Sequence, residues 1–194
     1  LVKSLHFIFD KKLINPSPIW FFCLFSNPYI EKLITSLKNR LDKNSALYRN
    51  TYFGNVVLSK VKFYPACTDE ELKKYSSIPL PVDYLQFLKI SNGAELFTDD
   101  YKGSRALLEL YSLDKIFEGK NFYVNNLKIE DVYPIGHLLD NADLVVNIRD
   151  LRNGGQYLSL SDGSKKFNYT FQEWLDKFII AQGNEFWLLD QPFR

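Results

Sequence analysis

Five short segments of the chain have the length and apolar content of β-strands, and turn residues separate them. They are residues 94–97, 106–111, 132–136, 143–148 and 156–160. Asn153-Gly154-Gly155 predicts a turn between the last two segments, Asp162-Gly163 predicts another turn after them, and Ser112 can cap a short helix through 117. Because consecutive strands at short intervals usually pair with each other, this run predicts an antiparallel sheet.

A helix pattern and one further strand precede this run. Apolar residues recur at helical spacing over 29–42 and predict an amphipathic helix. Asn44 and Asn50 are expected in a loop. The alternation of apolar and basic residues toward the end of 55–63 predicts a strand with one solvent-exposed face.

Two capping boxes mark the starts of further helices. In a capping box a Thr hydroxyl accepts the amide hydrogen three residues ahead, and the Glu at that position reaches back to the Thr amide. Thr68 and Glu71 begin a helix that runs to about residue 75, and Thr170 and Glu173 begin a closing helix that Gly183 ends. Because helices and strands are segregated along the chain instead of alternating, the pattern indicates the α+β class.

Residues 1–29 differ from the rest of the chain. Their apolar run, Ile19–Phe25, is seven residues long, whereas a membrane-spanning helix needs about 20. Prolines lie on both sides of this run, and no small-residue cleavage motif follows it, which argues against a secretory signal peptide. We therefore expect a poorly ordered extension over 1–29 and a single domain over 30–194. A signal peptide or membrane anchor is the alternative.

Charge is distributed unevenly, although the net charge is only +1. Residues 1–75 contain 12 basic and 6 acidic side chains, whereas residues 76–194 contain 12 basic and 17 acidic ones. Within 92–143 there are 10 acidic and 5 basic side chains. An acidic excess disfavours nucleic acid and favours a basic partner. An acidic surface that binds nothing is the alternative.

Residues that would support catalysis are sparse. Cysteine chemistry needs a neighbouring base, and nothing in the sequence places His6 or His137 beside Cys67. His137 precedes Asp140 and Asp143, but a zinc site would normally require further nitrogen or sulfur ligands. We therefore predict no enzyme activity, no metal and no cofactor. A hydrolase based on two convergent carboxylates is the alternative, because their separation depends on the fold.

The segment 80–93 reads Leu80-Pro81-x-Asp83-Tyr84-x-x-Phe87-Leu88-x-x-x-Asn92-Gly93 and resembles the signature of the SUKH superfamily. Shorter matching pieces are Thr68–Glu71, Leu110–Leu113, Tyr133–Gly136 and Phe171–Ile179, so the resemblance covers roughly 30–187. It implies an α+β fold with a mainly antiparallel sheet of about six strands packed against helices. Within the signature we expect Pro81 to begin a helix and Asn92-Gly93 to end it, which is a structural role.

The resemblance also implies a function. Many bacterial members of the superfamily resemble immunity proteins that bind and neutralise a toxin, often a nuclease, and fungal relatives regulate cell-wall assembly. This chain is accordingly expected to be a cytoplasmic, non-enzymatic immunity protein whose partner is a cognate protein toxin, with no direct nucleic acid and no membrane partner. The alternative is an interaction module in a regulatory or cell-wall-assembly complex.

Six residues in expected loops and strand ends are candidates for contact with the partner, because acidic groups steer a basic partner and exposed aromatic side chains anchor it. They are Glu95, Asp99, Asp100, Tyr101, Asp140 and Asp143. Each of them would otherwise be an ordinary surface residue.

Overall fold

The computed structural model describes residues 28–99, 105–139 and 142–188, so the extension expected over 1–29 lies almost entirely outside the described residues. Within these ranges the chain forms eight strands and six α-helices. In chain order the elements are α1 (Tyr29–Lys38), β1 (Ala46–Asn50), β2 (Val56–Phe63), α2 (Asp69–Lys74), α3 (Val82–Leu88), β3 (Ala94–Asp99), β4 (Arg105–Leu110), α4 (Leu113–Phe122), a π-helical turn (Tyr123–Leu127), β5 (Val132–Leu138), β6 (Asp143–Asn147), α5 (Ile148–Arg152), β7 (Leu158–Leu160), β8 (Lys166–Phe167), α6 (Phe171–Ile180) and a 3-10 turn (Phe186–Leu188).

All eight described strands belong to one antiparallel sheet, in which each strand pairs with the next strand of the chain. The α+β class predicted from the sequence is therefore confirmed. The six predicted strands form β2 to β7, and the short helix α5 precedes the predicted turn at 153–155. The sheet has two strands more than expected, with β1 at one edge and β8 at the other.

β1 was not predicted because a charged side chain occupies one of its inward positions. The exposed residues Tyr48 and Asn50 alternate with the buried residues Leu47 and Arg49. Arg49 is only 2% exposed and forms an ion pair with Asp99 of β3. The expectation that Asn50 lies in a loop is wrong, because Asn50 is the last residue of β1.

One core joins α1, α3 and α6 to the sheet. Trp174 of α6 stacks on Phe178 and Trp187, with ring centroids 5.3 and 6.0 Å apart. Phe178 in turn lies 6.0 Å from the ring of Phe97 in β3. Because burying one aromatic side chain stabilises a fold by about 1.5–3 kcal/mol, this cluster holds α6 firmly against the sheet. We call the face of the sheet opposite these three helices the outer face.

Both predicted capping boxes are confirmed. Thr68 Oγ1 accepts the Glu71 amide hydrogen at 3.2 Å, and Glu71 accepts that of Thr68 at 2.7 Å. The same two bonds between Thr170 and Glu173 measure 3.3 and 2.8 Å. α1 also begins as expected, although it ends at Lys38 instead of 42. Both partners of each capping bond lie within three residues of sequence, which makes these helix starts readable from the chain itself.

α4 lies on the outer face, against β5. Ser112 caps it, as expected, but the helix continues beyond its expected end, to Phe122. A Cβ atom on Gly119 would lie 2.5 Å from Pro134 Cγ, so the helix backbone approaches β5 closely. Pro134 is opposite Val145 of β6, whose neighbours on both sides point into the core. α4 therefore covers the outer face at Pro134 and Val145.

Two signature residues, Asp83 and Tyr84, connect α3 to elements far away in sequence. Asp83 accepts the amide hydrogen of Tyr84 at 3.0 Å and that of Gln172, in the first turn of α6, at 2.8 Å. Burial raises the pKa of Asp83, and these two bonds oppose the increase. The Tyr84 hydroxyl lies 2.8 Å from the carbonyl oxygens of both Tyr111 and Ile135. These signature side chains are thus committed to contacts inside the domain.

Asn92 and Gly93 have a different structural role from the expected one. The expectation that they end α3 is wrong, because α3 ends at Leu88. Asn92 Oδ1 instead accepts the amide hydrogen of Leu113, at the start of α4, at 2.9 Å. Gly93 has a φ of +99°, and a Cβ atom there would lie 2.9 Å from the carbonyl oxygen of Leu110. Only glycine combines that conformation with such a close approach to β4.

β3 and β4 each contain two consecutive buried residues, Leu96-Phe97 and Leu107-Leu108, which interrupt the alternation of faces. Phe97 has a left-handed backbone conformation, with a φ of +58°. Such distortions re-aim the side chains that follow them. As a result, Glu95 and Thr98 both lie on the outer face although they are three residues apart.

Candidate partner-binding surface

A row of polar side chains crosses the outer face from β2 to β6. The strand register places Lys62 opposite Glu95, Glu95 opposite Glu109, Glu109 opposite His137, and His137 opposite Asp143. Because neighbouring strands are about 4.8 Å apart, these residues span about 19 Å. We call these five residues the polar row.

Lys62, Tyr64 and Glu95 form a small network at the β2 end of the polar row. Lys62 Nζ lies 3.1 Å from the Tyr64 hydroxyl oxygen and 3.7 Å from Glu95 Oε1. The Tyr64 hydroxyl donates a hydrogen bond to Glu95. The carboxylate of Glu95 is thereby held in place on its strand while its side chain remains partly exposed to a partner.

Glu109 occupies the middle of the row, directly opposite Glu95. A shallow hollow of about 490 Å³ beside them is lined by Glu95, Arg105, Ala106, Glu109, His137 and Leu139. Lys115 Nζ, from α4, lies 2.6 Å from Glu109 Oε1 and 4.4 Å from the centre of the Tyr111 ring. Like charges directly opposite each other destabilise a sheet. Lys62 and Lys115 offset this repulsion from the two sides of the carboxylate pair.

Asp143 ends the row at β6, and three side chains contact its carboxylate. His137 Nδ1 lies 2.9 Å from Asp143 Oδ1, and the hydroxyls of Tyr111 and Tyr123 donate to the carboxylate at 3.4 and 3.2 Å. Burial, followed by the charge of Asp143, raises the pKa of both tyrosines, to about 12 for Tyr123. Both phenols are therefore neutral hydrogen-bond donors at physiological pH, and they fix the position of Asp143.

The structure brings together two of the six candidate contact residues. Glu95 and Asp143 lie in the same row on the same face of the sheet. Asp100 and Tyr101 follow β3, Asp140 follows β5, and all three lie outside the described residues. The sequence patterns on which the candidates were chosen did not indicate that Glu95 and Asp143 share a surface.

Asp99 is not a surface residue, and the expectation that it lies on the surface is wrong. Its side chain is buried, forms an ion pair with Arg49 and accepts a hydrogen bond from Ser59. An ionised carboxylate in the interior needs a paired cation. Arg49 supplies that cation from β1, a strand that the sequence pattern does not predict.

The β1–β2 hairpin exposes five large apolar side chains. Tyr52 and Phe53, in its turn, are 63% and 86% exposed. Tyr48 and Leu58 are opposite each other and are 73% and 45% exposed, and Val56 is 63% exposed. We call these five residues the apolar hairpin patch. Patches of this kind on soluble proteins commonly mark interaction sites.

A groove of about 570 Å³ lies between the turn of this hairpin, the ends of β4 and β5, and α6 with the turn that follows it. Apolar side chains dominate its lining, namely Tyr52, Phe53, Leu107, Leu138, Leu139, Phe178 and Leu188. Among the described residues, the charged ones that line it are Arg49, which is paired with Asp99, and Glu185. The groove therefore presents an apolar surface instead of a charged binding site.

The free edge of β1 is almost closed to pairing with another strand. Alternate residues of β1 direct their backbone groups away from β2. Asp42 bonds to both backbone groups of Ala46, at 2.8 and 2.9 Å. Two side chains of the turn after α6 bond to the two backbone groups of Asn50. Of the outward-directed residues of β1, only Tyr48 still has backbone groups available to a partner strand. Contacts at this edge therefore have to come from side chains.

Reactive groups are few in the part of the chain that the structure describes. Burial, followed by the charges of Glu71 and Asp114, raises the pKa of the Cys67 thiol to about 12, which leaves it protonated at neutral pH. Among the described residues, no group of three or more His, Cys, Asp or Glu side chains could hold a metal ion. None of the described helices combines the length and the apolar character of a membrane span.

The apolar hairpin patch was not predicted from the sequence, because β1 was not predicted. Unless β1 is predicted, Tyr48 cannot be assigned to a face of the sheet, and Tyr52 and Phe53 cannot be assigned to the turn of a hairpin. The available signal was the pair Tyr52-Phe53 immediately before Gly54. Gly54 has a φ of +79°, typical of a turn, and side chains in a surface turn have no core to reach.

Comparison with known proteins gives one family. The model of the SMI1 / KNR4 family (SUKH-1) matches residues 66–188. The uncharacterized protein YobM of Bacillus subtilis (strain 168) is 28% identical over 176 residues, which cover 82% of this chain and 91% of YobM. The matched range begins ahead of α2, after the hairpin, and includes the polar row from Glu95 to Asp143.

Proposed function

The chain belongs to the SMI1/KNR4 family (SUKH-1), and from that membership we propose that it is a non-enzymatic immunity protein. The family as a whole indicates an immunity protein or an interaction module that acts through a protein partner. The specific partner that we propose is a cognate toxin of the nuclease type, which this chain binds in the cytoplasm. A nuclease presents a basic surface to nucleic acid, and a protein with exposed carboxylates can cover that surface.

The observation that carries this proposal is the family match over 66–188. The geometry supports it in one respect. The signature residues Asp83, Tyr84, Asn92 and Gly93 are committed to contacts within the domain. The matching segment therefore serves as a framework, and the part of the outer face that α4 leaves uncovered is the surface that we propose for the partner.

The polar row provides the charges that such a partner requires. We propose that Glu95 and Asp143 contact basic side chains of the toxin. The candidate residues outside the described ranges, Asp100, Tyr101 and Asp140, remain in the proposal as further contacts. Partly exposed charges of this kind mainly increase the rate of association and select the partner, while buried apolar contacts supply most of the affinity.

Co-expression with the toxin encoded by the neighbouring gene tests the function. We expect this chain to restore growth when the toxin is induced, and to elute together with the toxin domain from a gel-filtration column. Failure of both growth rescue and complex formation would contradict the proposal. A gene neighbourhood without any toxin would instead favour the interaction module of a regulatory or cell-wall-assembly complex.

A charge reversal tests the surface. Glu95→Lys reverses a charge of the polar row, and Glu130→Lys makes the same change at an exposed residue ahead of β5. We expect Glu95→Lys to slow association with the toxin by about 10-fold at low salt, and Glu130→Lys to leave the rate unchanged. Equal rates for the two variants would show that the polar row is not the contact surface.

A further inference from the structure

The apolar hairpin patch and the polar row lie on one continuous face. Leu58, Lys60 and Lys62 alternate outward along β2, and Lys62 is the first residue of the row. At about 3.3 Å per residue, Leu58 and Lys62 are about 13 Å apart. A partner that covers a patch of ordinary interface size on the row therefore also reaches the hairpin.

The chemistry of the hairpin differs from that of the row. Its five exposed side chains are aromatic or aliphatic, and the groove beside Phe53 has apolar walls. The one buried cation of the groove, Arg49, is already neutralised by Asp99. An acidic side chain placed there would lose its hydration and meet Glu185 without gaining a cation, whereas an apolar side chain would gain burial against the apolar walls.

The closed edge of β1 narrows the mode of contact further. Because Asp42 and the turn after α6 already bond to the backbone of Ala46 and Asn50, a partner cannot extend the sheet along β1. Contact with the hairpin is thus made through side chains, and Tyr48, Tyr52 and Phe53 are of the residue types that anchor interfaces. Tyrosine in particular is enriched among residues whose truncation costs the most affinity.

We propose that the apolar hairpin patch is the anchor of the toxin interface, and that it receives an uncharged, apolar segment of the toxin whose side chain enters the groove beside Phe53. This inference rests on the proposed function and divides its surface into two parts. The polar row sets the rate of association, and the hairpin sets the rate of dissociation.

Binding kinetics at several salt concentrations separate the two parts. Phe53→Ala and Tyr48→Ala truncate exposed side chains, so the fold should be retained, as thermal unfolding will show. We expect each to increase the dissociation rate by about 10-fold or more and to leave the salt dependence of association unchanged. Phe122→Ala, which truncates an exposed aromatic side chain on α4, is the matched control and should dissociate like the unmodified protein.

The possible outcomes distinguish this inference from the function on which it rests. If the unmodified protein binds the toxin and both hairpin variants dissociate at its rate, the inference is overturned while the proposed function stands. If the unmodified protein does not bind the toxin, both are overturned. Sedimentation of the protein alone, and with vesicles of equimolar phosphatidylcholine and phosphatidylserine, provides a second measurement. Self-association or vesicle binding that Phe53→Ala abolishes would assign the patch to another occupant and overturn the inference.

Discussion

Arg49 enters the core from β1 and meets Asp99 and Ser59 there. Moving either charge out of water costs several kcal/mol, and their mutual attraction offsets that cost only while both are present. The guanidinium also donates a hydrogen bond to the backbone oxygen of Gln182 at 3.2 Å. The same residue therefore joins the exposed hairpin to the turn after α6, and its loss would leave a lone carboxylate in the interior.

We expect Arg49→Met to lower the free energy of unfolding by about 3–5 kcal/mol, because Asp99 is then buried without a cation. The control is Arg149→Met, which removes an exposed guanidinium paired with Asp131 and should cost less than about 1 kcal/mol. Urea unfolding followed by circular dichroism measures both. The double variant Arg49→Met with Asp99→Leu should recover part of the loss. Equal losses in the two single variants would contradict this assignment.

Helix starts in this domain depend on side chains from other elements as well as on local caps. At the start of α6, Asp83 of α3 accepts an amide hydrogen in addition to the one that Thr170 accepts. At the start of α4, Asn92 accepts an amide hydrogen in addition to the one that Ser112 accepts. Each orphan amide hydrogen at a helix start needs an acceptor. The signature residues therefore hold α3, α4 and α6 together at their first turns, which explains a recurring motif without a binding role.

Gly93→Ala tests the close approach of the α3–β3 connection to β4. The added Cβ would meet the Leu110 carbonyl oxygen at 2.9 Å, and the φ of +99° is unfavourable for alanine. We expect a loss of about 3 kcal/mol in the free energy of unfolding. Gly154→Ala is the matched control, because Gly154 has a φ of +67° with nothing within 4 Å. Gly154→Ala should lower the free energy of unfolding by about 1 kcal/mol, from backbone strain alone. Losses of the same size would rule out the steric contact.

Elements that depend on local contacts were predicted from the sequence, and features that depend on distant contacts were not. The Thr68 capping box closes within three residues. By contrast, the inward position of Arg49 is explained by its pairing with Asp99, which is 50 residues away in the sequence. The shared row of Glu95 and Asp143 depends on strand register across four strands. No local pattern carries that information.

The tyrosines described across the whole molecule differ in their surroundings. Tyr48 and Tyr52 are exposed, whereas burial is the main cause of a raised pKa in Tyr84, Tyr111, Tyr123, Tyr133 and Tyr157. Below the ordinary pKa of 10.0, phenols are neutral in both the folded and the unfolded chain, so stability is unaffected. Above pH 10 the unfolded chain loses these protons first. Stability should therefore fall as pH rises from 10 toward 12 and beyond.

We expect alkaline unfolding in one cooperative step. The buried tyrosines should ionise together with the loss of near-ultraviolet circular dichroism. Tyrosinate absorbance and circular dichroism, recorded on the same samples, measure the two processes. Ionisation of all 12 tyrosines near pH 10 with the dichroism intact would contradict the burial of these phenols.

The hydrogen bond between Asp83 and Gln172 has a consequence for synthesis of the chain on the ribosome. The two residues are 89 positions apart, so at about 5–20 residues per second Gln172 is added roughly 4–18 s after Asp83. Until then the nascent domain lacks the helix that completes its core. A partner that recognises the finished sheet therefore meets chains that already include α6 and not early translation intermediates.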